Sequence, residues 1–303
     1  MDIDSKWLED FMALASCRSF SQAAGRRHVT QPAFSRRIRA LEQALGVTLV
    51  DRSAVPIDLT AEGQLFLITA RAVVDQLHEA AARLRGLQPA KAQVLDIAAA
   101  HSLANSYFPG WVAELGEPWR AQSMRLAAMN VEDAVHELRE GHCDLMLVYY
   151  DPLSALQLDA TTFPSLALSQ TQMVPVCTPD TEGRPRFDLE RDESVPLLAY
   201  SQGAFLGRTV RLMLANDELR LRLRTVFETA MADGLKGMAL KGLGVAWLPR
   251  LCIEQELAEG RLVELGPERY QTGLEIRLYR CSLVHKPSVE GLWRHLKKGQ
   301  RQG

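Results

Sequence analysis

Hydrophobic positions near the amino end recur at helical spacing in close succession. Trp7, Phe11, Leu14 and Ala15 mark an opening helix, with Trp7 read as core. A short helix follows, for which Ser21 is a suitable cap, and then a tight turn. Thr30 with Gln31-Pro32 starts the next helix, pairing a hydroxyl cap with a proline in the first turn, where its missing N–H costs nothing. In that helix Phe34, Ile38, Leu41 and Leu45 follow 4-3-4 spacing and form one buried stripe, while Pro32, Arg36, Arg39 and Gln43 point the other way. Gly46 is its natural stop.

After Gly46, the run from Leu49 to Leu59 reads as two short strands around a turn. Thr60 then caps a new helix in which Phe66, Ala70, Val73, Leu77, Ala80, Leu84 and Leu87 alternate steps of four and three. That narrow stripe is the seam of a coiled-coil dimer; a helix folded back onto its own domain is the competing reading. About 26 residues at roughly 1.5 Å each give a rod of about 39 Å. It ends at Gly86-Leu87-Gln88-Pro89, an expected hinge.

Farther on, short apolar runs alternate with helical patterns. Strands are expected at Val94–Ala100, Met124–Met129 and Leu145–Tyr149, with helices near Asn105–Leu115 and Val131–Glu140. A second set of strands falls near Gln172–Cys177, Pro196–Tyr200, Leu223–Phe227 and Gly244–Leu248. The chain closes with a strand at Leu274–Tyr279 and a helix around Val289–Lys297. Strand and helix in turn imply crossover units and parallel sheets, hence an α/β fold.

Charge sharpens the picture of the amino end. Arg18, Arg26, Arg27, Arg36, Arg37 and Arg39 follow one another with no acidic residue between them, although the 303-residue chain has a net charge of only -2. A concentrated patch on a nearly neutral protein points to a polyanion partner; arginines that merely solvate a helix are the bland alternative. With 47% hydrophobic residues the chain supports a large core, and no segment approaches bilayer length. Five scattered cysteines without a paired motif argue for reduced thiols, so a soluble, unexported, cytoplasmic protein is expected.

At this point the residues carry a family resemblance. Ser19-Phe20-Ser21-Gln22-Ala23-Ala24, Thr30-Gln31-Pro32-Ala33-Phe34-Ser35, Ile38-Arg39-Ala40-Leu41-Glu42 and Leu45-Gly46-Val47 resemble the winged helix-turn-helix of LysR-type transcriptional regulators. Leu138-Arg139-Glu140-Gly141 before Cys143-Asp144-Leu145, and Gly242-Leu243-Gly244-Val245-Ala246-Trp247-Leu248-Pro249, resemble the effector-binding half of the same family. The amino-terminal wording and Ala98-Ala99-Ala100-His101-Ser102-Leu103 are similar to the hypochlorite-responsive branch. The chain departs from the family at Val50, where phenylalanine is usual, and at Val55-Pro56, where a basic wing tip would reach the minor groove.

The resemblance implies a winged helix-turn-helix over 1–60 and a linker and dimerisation helix over 61–89. A two-lobed α/β effector-binding domain of periplasmic-binding-protein type follows, lobe I comprising 90–163 and 268–303 and lobe II 164–267. Its implied partners are double-stranded DNA, a small-molecule effector, a second copy in a homodimer that pairs into a tetramer, and RNA polymerase; no membrane and no cofactor are expected. For DNA it implies Ser21 and Thr30 as phosphate ligands, with Gln31, Pro32, Ser35 and Arg36 reaching the major groove. Physics agrees, since glutamine pairs bidentately with adenine and arginine with guanine. Arg39 is assigned to backbone and Arg52 to a phosphate, whereas Arg26 and Arg37 read as solvated surface.

The effector is expected between the lobes, at strand ends and helix starts. His101 and Ser102 open a helix whose N–H groups and hydroxyl suit an anion; Met129, Tyr149, Tyr200, Ser201, Phe205 and Met231 complete an aromatic pocket with Arg208 as the nearest charge. No catalytic motif appears. His136, His142 and Cys143 lack standard zinc spacing, Gly242-Leu243-Gly244 lacks the third glycine of a dinucleotide fingerprint, and Ser102 beside His101 is no nucleophile and base pair. Two further readings stay open: the same regulator controlled by oxidation of methionine or cysteine, and a solute-binding protein or enzyme built on the two-lobed half.

Overall fold

The computed structural model describes residues 3–84, 94–154, 156–215 and 221–299. They form two compact units, one comprising Met1–Leu95, His136–Asp144 and Cys281–Gly303, the other Asp96–Val135 and Leu145–Arg280.

In the first unit, α1 (Ser5–Cys17), α2 (Phe20–Arg26) and α3 (Gln31–Leu45) lead into a two-stranded antiparallel hairpin, β1 (Val50–Asp51) and β2 (Asp58–Leu59), and then α4 (Ala61–Leu84). Phe34, Ile38 and Leu41 are fully buried against Phe11 and Leu14, as the 4-3-4 spacing requires. Each such side chain contributes about 1.5–3 kcal/mol of burial. Trp7, expected in the core, is only half-buried and packs against its rim. Gly46 closes α3 in the left-handed region, φ 72°, which L side chains rarely adopt.

The start of α4 is tied directly to the hairpin. Thr60 Oγ1 donates to the Thr48 carbonyl at 2.8 Å and accepts from Gly63 N at 3.0 Å, while Thr60 N donates to the Leu49 carbonyl. Gly63 lies so close to that carbonyl that a Cβ would overlap it. The seam read from the heptad pattern divides here. Phe66 and Ala70 pack into the head's own core, Phe66 against Phe11 with ring centroids 5.6 Å apart, because the first turns of α4 lie across α1. Val73 and Leu77, farther along, are 38% and 51% exposed. The seam positions Ala80, Leu84 and Leu87 and the expected hinge Gly86–Pro89 lie outside the described side chains.

The second unit runs β3 (Leu95–Ala100), α5 (His101–Ser106), α6 (Phe108–Glu114), β4 (Met124–Met129), α7 (Val131–Arg139, whose last turn belongs to the first unit), β5 (Leu145–Tyr150), β6 (Ser165–Cys177) and β7 (Val195–Tyr200). It continues with α8 (Phe205–Leu214), β8 (Leu223–Thr229), α9 (Ala232–Leu240), β9 (Val245–Pro249), α10 (Glu254–Ala258), β10 (Val263–Glu264) and β11 (Thr272–Arg280). The last helix, α11 (Pro287–Gly299), belongs to the first unit, where Lys286 Nζ donates to Asp144 Oδ2 at 2.6 Å.

Where two parallel sheets were expected, one continuous sheet forms, in the order β4-β3-β5-β11-β6-β9-β7-β8 with β10 beside β6. Parallel pairing holds for β3 with β5 and for β7 with β8 and β9. β11 runs antiparallel to β5 and β6, and β6 antiparallel to β9. The cause is the length of β6. Its 13 residues pair with β11 through Ser165–Met173 and with β9 through Met173–Val176, so one strand serves both halves of the sheet.

Candidate nucleic-acid interface and effector cleft

Local chemistry at the head explains how α3 is presented. Ser19, not Ser21, caps α2: its backbone is extended and its hydroxyl accepts from Gln22 N at 3.5 Å. Ser21 is an exposed residue of the first turn. Thr30 occupies the N-cap of α3, but its side chain makes no capping hydrogen bond and stays exposed. Gln31, Pro32, Arg36 and Arg39 are exposed and Ser35 half-buried; Pro32, Arg36 and Arg39 lie on the side opposite Phe34, Ile38 and Leu41, Ser35 lies on the flank, and Gln31 is exposed at the start of the helix.

Three arginines of the acid-free run, Arg18, Arg27 and Arg37, meet acids brought in from elsewhere. Asp10 on α1 is fully buried, and its two oxygens bind Arg27 Nε at 2.7 Å and Arg37 Nη1 at 3.1 Å. Glu9 adds a second contact to Arg27 at 2.5 Å. Hydrogen bonding to Asp10 raises the Arg27 guanidinium above its ordinary value despite the opposing cost of burial. Arg37 is therefore a buried-pair arginine and not solvated surface. Arg26 donates to Ser16 Oγ at 3.1 Å, and Arg18 lies 3.8 Å from Asp58. Among the described residues Arg36 and Arg39 make no ion pair.

Arg52, assigned to a phosphate, is engaged within the protein. Its Nη2 lies 2.6 Å from Glu42 Oε2, and its guanidinium sits 5.9 Å from the Phe20 ring centroid. Val55, in the turn of the hairpin, is 97% exposed.

In the second unit the predicted effector residues are partly packed together. Ser102 Oγ and the Tyr149 hydroxyl are 3.0 Å apart and buried, and the same phenol lies 3.7 Å from Cys252 Sγ. The Ser102 hydroxyl thus faces a phenol, not an open anion site. Burial pushes both the Tyr149 and the Tyr200 phenols well up, and raises the Cys252 thiol, so all three are neutral near pH 7. The Tyr200 hydroxyl is buried without a hydrogen-bond partner among the described residues. Phe205 is buried, His101, Met129 and Ser201 are half-buried, and Met231 is 45% exposed at the N-cap of α9. Arg208, read as the nearest charge for a ligand, is paired with Glu132 at 2.8 Å.

Three groups beside these residues were not visible in the sequence. Cys252 follows β9 in a short 3-10 turn and meets Tyr149 of β5. Lys236 Nζ donates to the Cys252 carbonyl at 3.0 Å and stands 3.8 Å from Asp233, whose other oxygen accepts from Asn105 at 3.5 Å. A recess of about 790 Å³ in the same unit lies elsewhere, between Tyr107 and Trp111 on one side and Thr171 and Leu274 on the other. No group of three or more metal-ligating side chains occurs among the described residues, and no described helix is long and apolar enough to cross a membrane.

A helix-turn-helix head with an exposed cationic edge, joined to a mixed α/β unit, defines a DNA-binding regulator. The comparisons agree with that class. Residues 5–64 match the bacterial regulatory helix-turn-helix proteins of the lysR family, and residues 88–301 match the LysR substrate binding domain. The chain belongs to the LysR family of transcriptional regulators. It is 37% identical over 297 residues to the HTH-type transcriptional regulator YjiE of Escherichia coli K12, covering 98% of this chain and 95% of that one. Two solved structures are similar over the full length. Vibrio fischeri DarR in complex with DNA shares 38% identity and a TM-score of 0.58, with 98% of this chain and 99% of that chain covered. HypT of Salmonella typhimurium, described as a hypochlorite-specific LysR-type regulator, shares 37% identity and a TM-score of 0.60, with 99% of each covered. These relatives are transcriptional regulators and not enzymes, and so is this chain.

Proposed function

We propose that this regulator enters the major groove with α3, as one half of a symmetric pair, and responds to a small molecule held in the cleft of its α/β unit. Gln31, Pro32, Ser35 and Arg36 meet base edges, Ser21, Thr30 and Arg39 meet the backbone, and Arg52 supports the hairpin beside them. The observation that carries this reading is the sorting of the arginines: Arg27 and Arg37 are spent on Asp10, whereas Arg36 and Arg39 stay exposed on the polar side of α3. A similar protein, DarR, has been solved with DNA. Dimers form along α4, where Val73 and Leu77 are exposed, and pair into tetramers; the resulting assembly engages RNA polymerase. Lobe I comprises 90–163 and 268–303, lobe II 164–267, and the effector lies beside His101, Tyr200 and Met231, next to the buried Ser102–Tyr149 pair. Occupancy shifts a pre-existing equilibrium by differential affinity for its states.

Footprinting on the promoters beside and upstream of its own gene tests the first half. Sequence-specific protection at moderate salt is expected, and its absence overturns the reading. Thermal-shift screening of the full chain against metabolite panels tests the second half, since a ligand bound only by the folded state raises Tm. A second reading, control by oxidation, is favoured by two observations: Met231 is 45% exposed at the N-cap of α9, and the relative HypT is described as hypochlorite-specific. Mild hypochlorite that forms the sulfoxide at Met231 without changing operator affinity counts against it.

A further inference from the structure

We infer that Asp10 is a specificity-determining residue of the DNA-binding head: by holding Arg27 and Arg37 it withdraws two arginines from DNA and leaves Arg36 and Arg39 as the exposed cations of α3. The inference rests on the reading that α3 faces the duplex. Both carboxylate oxygens of Asp10 are occupied, one by the residue that ends α2 and one by α3 itself, and the side chain is 0% exposed. Glu9 takes the other face of Arg27. One buried acid therefore joins all three helices of the head and decides which guanidiniums point outward.

The physical consequence concerns discrimination and not affinity. The base contacts of α3 hold the operator complex in one register, whereas a non-specific duplex is bound in looser registers in which a freed arginine more readily finds a phosphate; such an arginine therefore strengthens non-specific binding more than operator binding, by releasing condensed counterions without reading a base. Arg37 is adjacent to Arg36 in a helix of about 3.6 residues per turn, so it is turned roughly 100° away from its neighbour. If it were free, its long side chain would swing toward the same anion. Asp10 holds it on the α1 side. The head then presents few cations, in fixed places, and base contacts weigh more in the total.

The test uses the full-length protein, an operator duplex selected by the wild-type chain from a random pool, and a shuffled duplex of equal composition. Fluorescence anisotropy over a range of salt gives both affinities and both salt slopes. For D10N, binding to the shuffled duplex is expected to tighten and its salt slope to steepen by about 0.9 for each arginine released. The operator-to-shuffled ratio is expected to fall by about tenfold or more. If D10N keeps the wild-type far-UV spectrum and denaturant midpoint but weakens both duplexes in parallel, the inference is overturned. R37Q keeps the Asp10–Arg27 pair and decides the matter should D10N not fold. Its shuffled-duplex affinity and salt slope are expected to stay at wild-type values; a slope shallower by about 0.9 places Arg37 on a phosphate and overturns the inference. A wild-type chain that selects no operator sinks the DNA-binding reading itself. Normal wild-type selection with an unchanged ratio in D10N sinks only the role of Asp10.

Discussion

Glu42 Oε2 and Arg52 Nη2 lie 2.6 Å apart, and the other oxygen of the same carboxylate accepts from Leu49 N at 2.9 Å and Val50 N at 3.2 Å. A single side chain of α3 thus fixes both the base of the hairpin and its arginine. Glu42→Ala leaves those donors without an acceptor and is expected to cost about 1–3 kcal/mol, read as a lower denaturant midpoint. Arg52→Ala removes a pair whose arginine is 36% exposed and is expected to cost under about 1 kcal/mol. The salt slope of DNA binding should barely move in that variant; a slope shallower by about one unit would show Arg52 reaching a phosphate after all.

Among the described side chains, Val73 and Leu77 are the apolar residues of the predicted seam that the head's core does not absorb. A charge at each is compatible with an exposed helix in a lone chain and incompatible with an apolar seam between two chains. Val73→Asp with Leu77→Asp is expected to give monomers in sedimentation at micromolar concentration, with an unchanged far-UV spectrum and lost operator binding. A double variant that remains fully dimeric would locate the interface elsewhere.

The Ser102 and Tyr149 hydroxyls share one buried hydrogen bond, so neither substitution should act independently of the other. Tyr149→Phe and Ser102→Ala are each expected to destabilise by about 1–2 kcal/mol, since each strands a buried polar group. The double variant is expected to cost less than the sum, by at least about 0.5 kcal/mol. Urea unfolding of the four proteins measures the coupling, and strict additivity would show that the two groups do not interact.

Alkaline pH probes the same cluster. The buried Cys252 thiol and the Tyr149 and Tyr200 phenols are raised above their ordinary values of 9.0 and 10.0 in the folded protein. Between those values and the higher folded ones, the folded chain holds protons that the unfolded chain has lost, so stability falls as pH rises. Stability from this source is complete below about pH 8 and declines above about pH 9. Cys252→Ala should flatten the first part of that decline, measured as the denaturant midpoint against pH. An identical profile in the variant would exclude the thiol as a contributor.

Much of the head was legible because its signals are local. Pro32 and Gly46 bracket α3, and the spacing of Phe34, Ile38 and Leu41 names its buried face without any knowledge of what lies opposite. The α2 cap shows how two similar residues mislead. Ser19 and Ser21 are equally good caps by type, but only Ser19 stands three residues before a glutamine, the capping-box spacing, and Ser19 is the residue used. Non-local chemistry was hidden. Nothing within ten residues of Arg37 discloses that Asp10 will meet it, and Cys252, in the turn that follows β9, meets Tyr149 of β5 across 103 residues of sequence. β6 was read too short because Ser169-Gln170-Thr171-Gln172 is polar; it pairs as a half-exposed strand whose partner β11 arrives about a hundred residues later.

The closure of Thr60 and Gly63 onto the hairpin leaves no slack where the rod joins the head. The start of α4 is thus tied to the wing with no loop between them. A chimera that exchanges sensory halves between such regulators should therefore be cut within α4 beyond its first turns, because a graft at Leu59 would uncouple the two parts it was meant to connect.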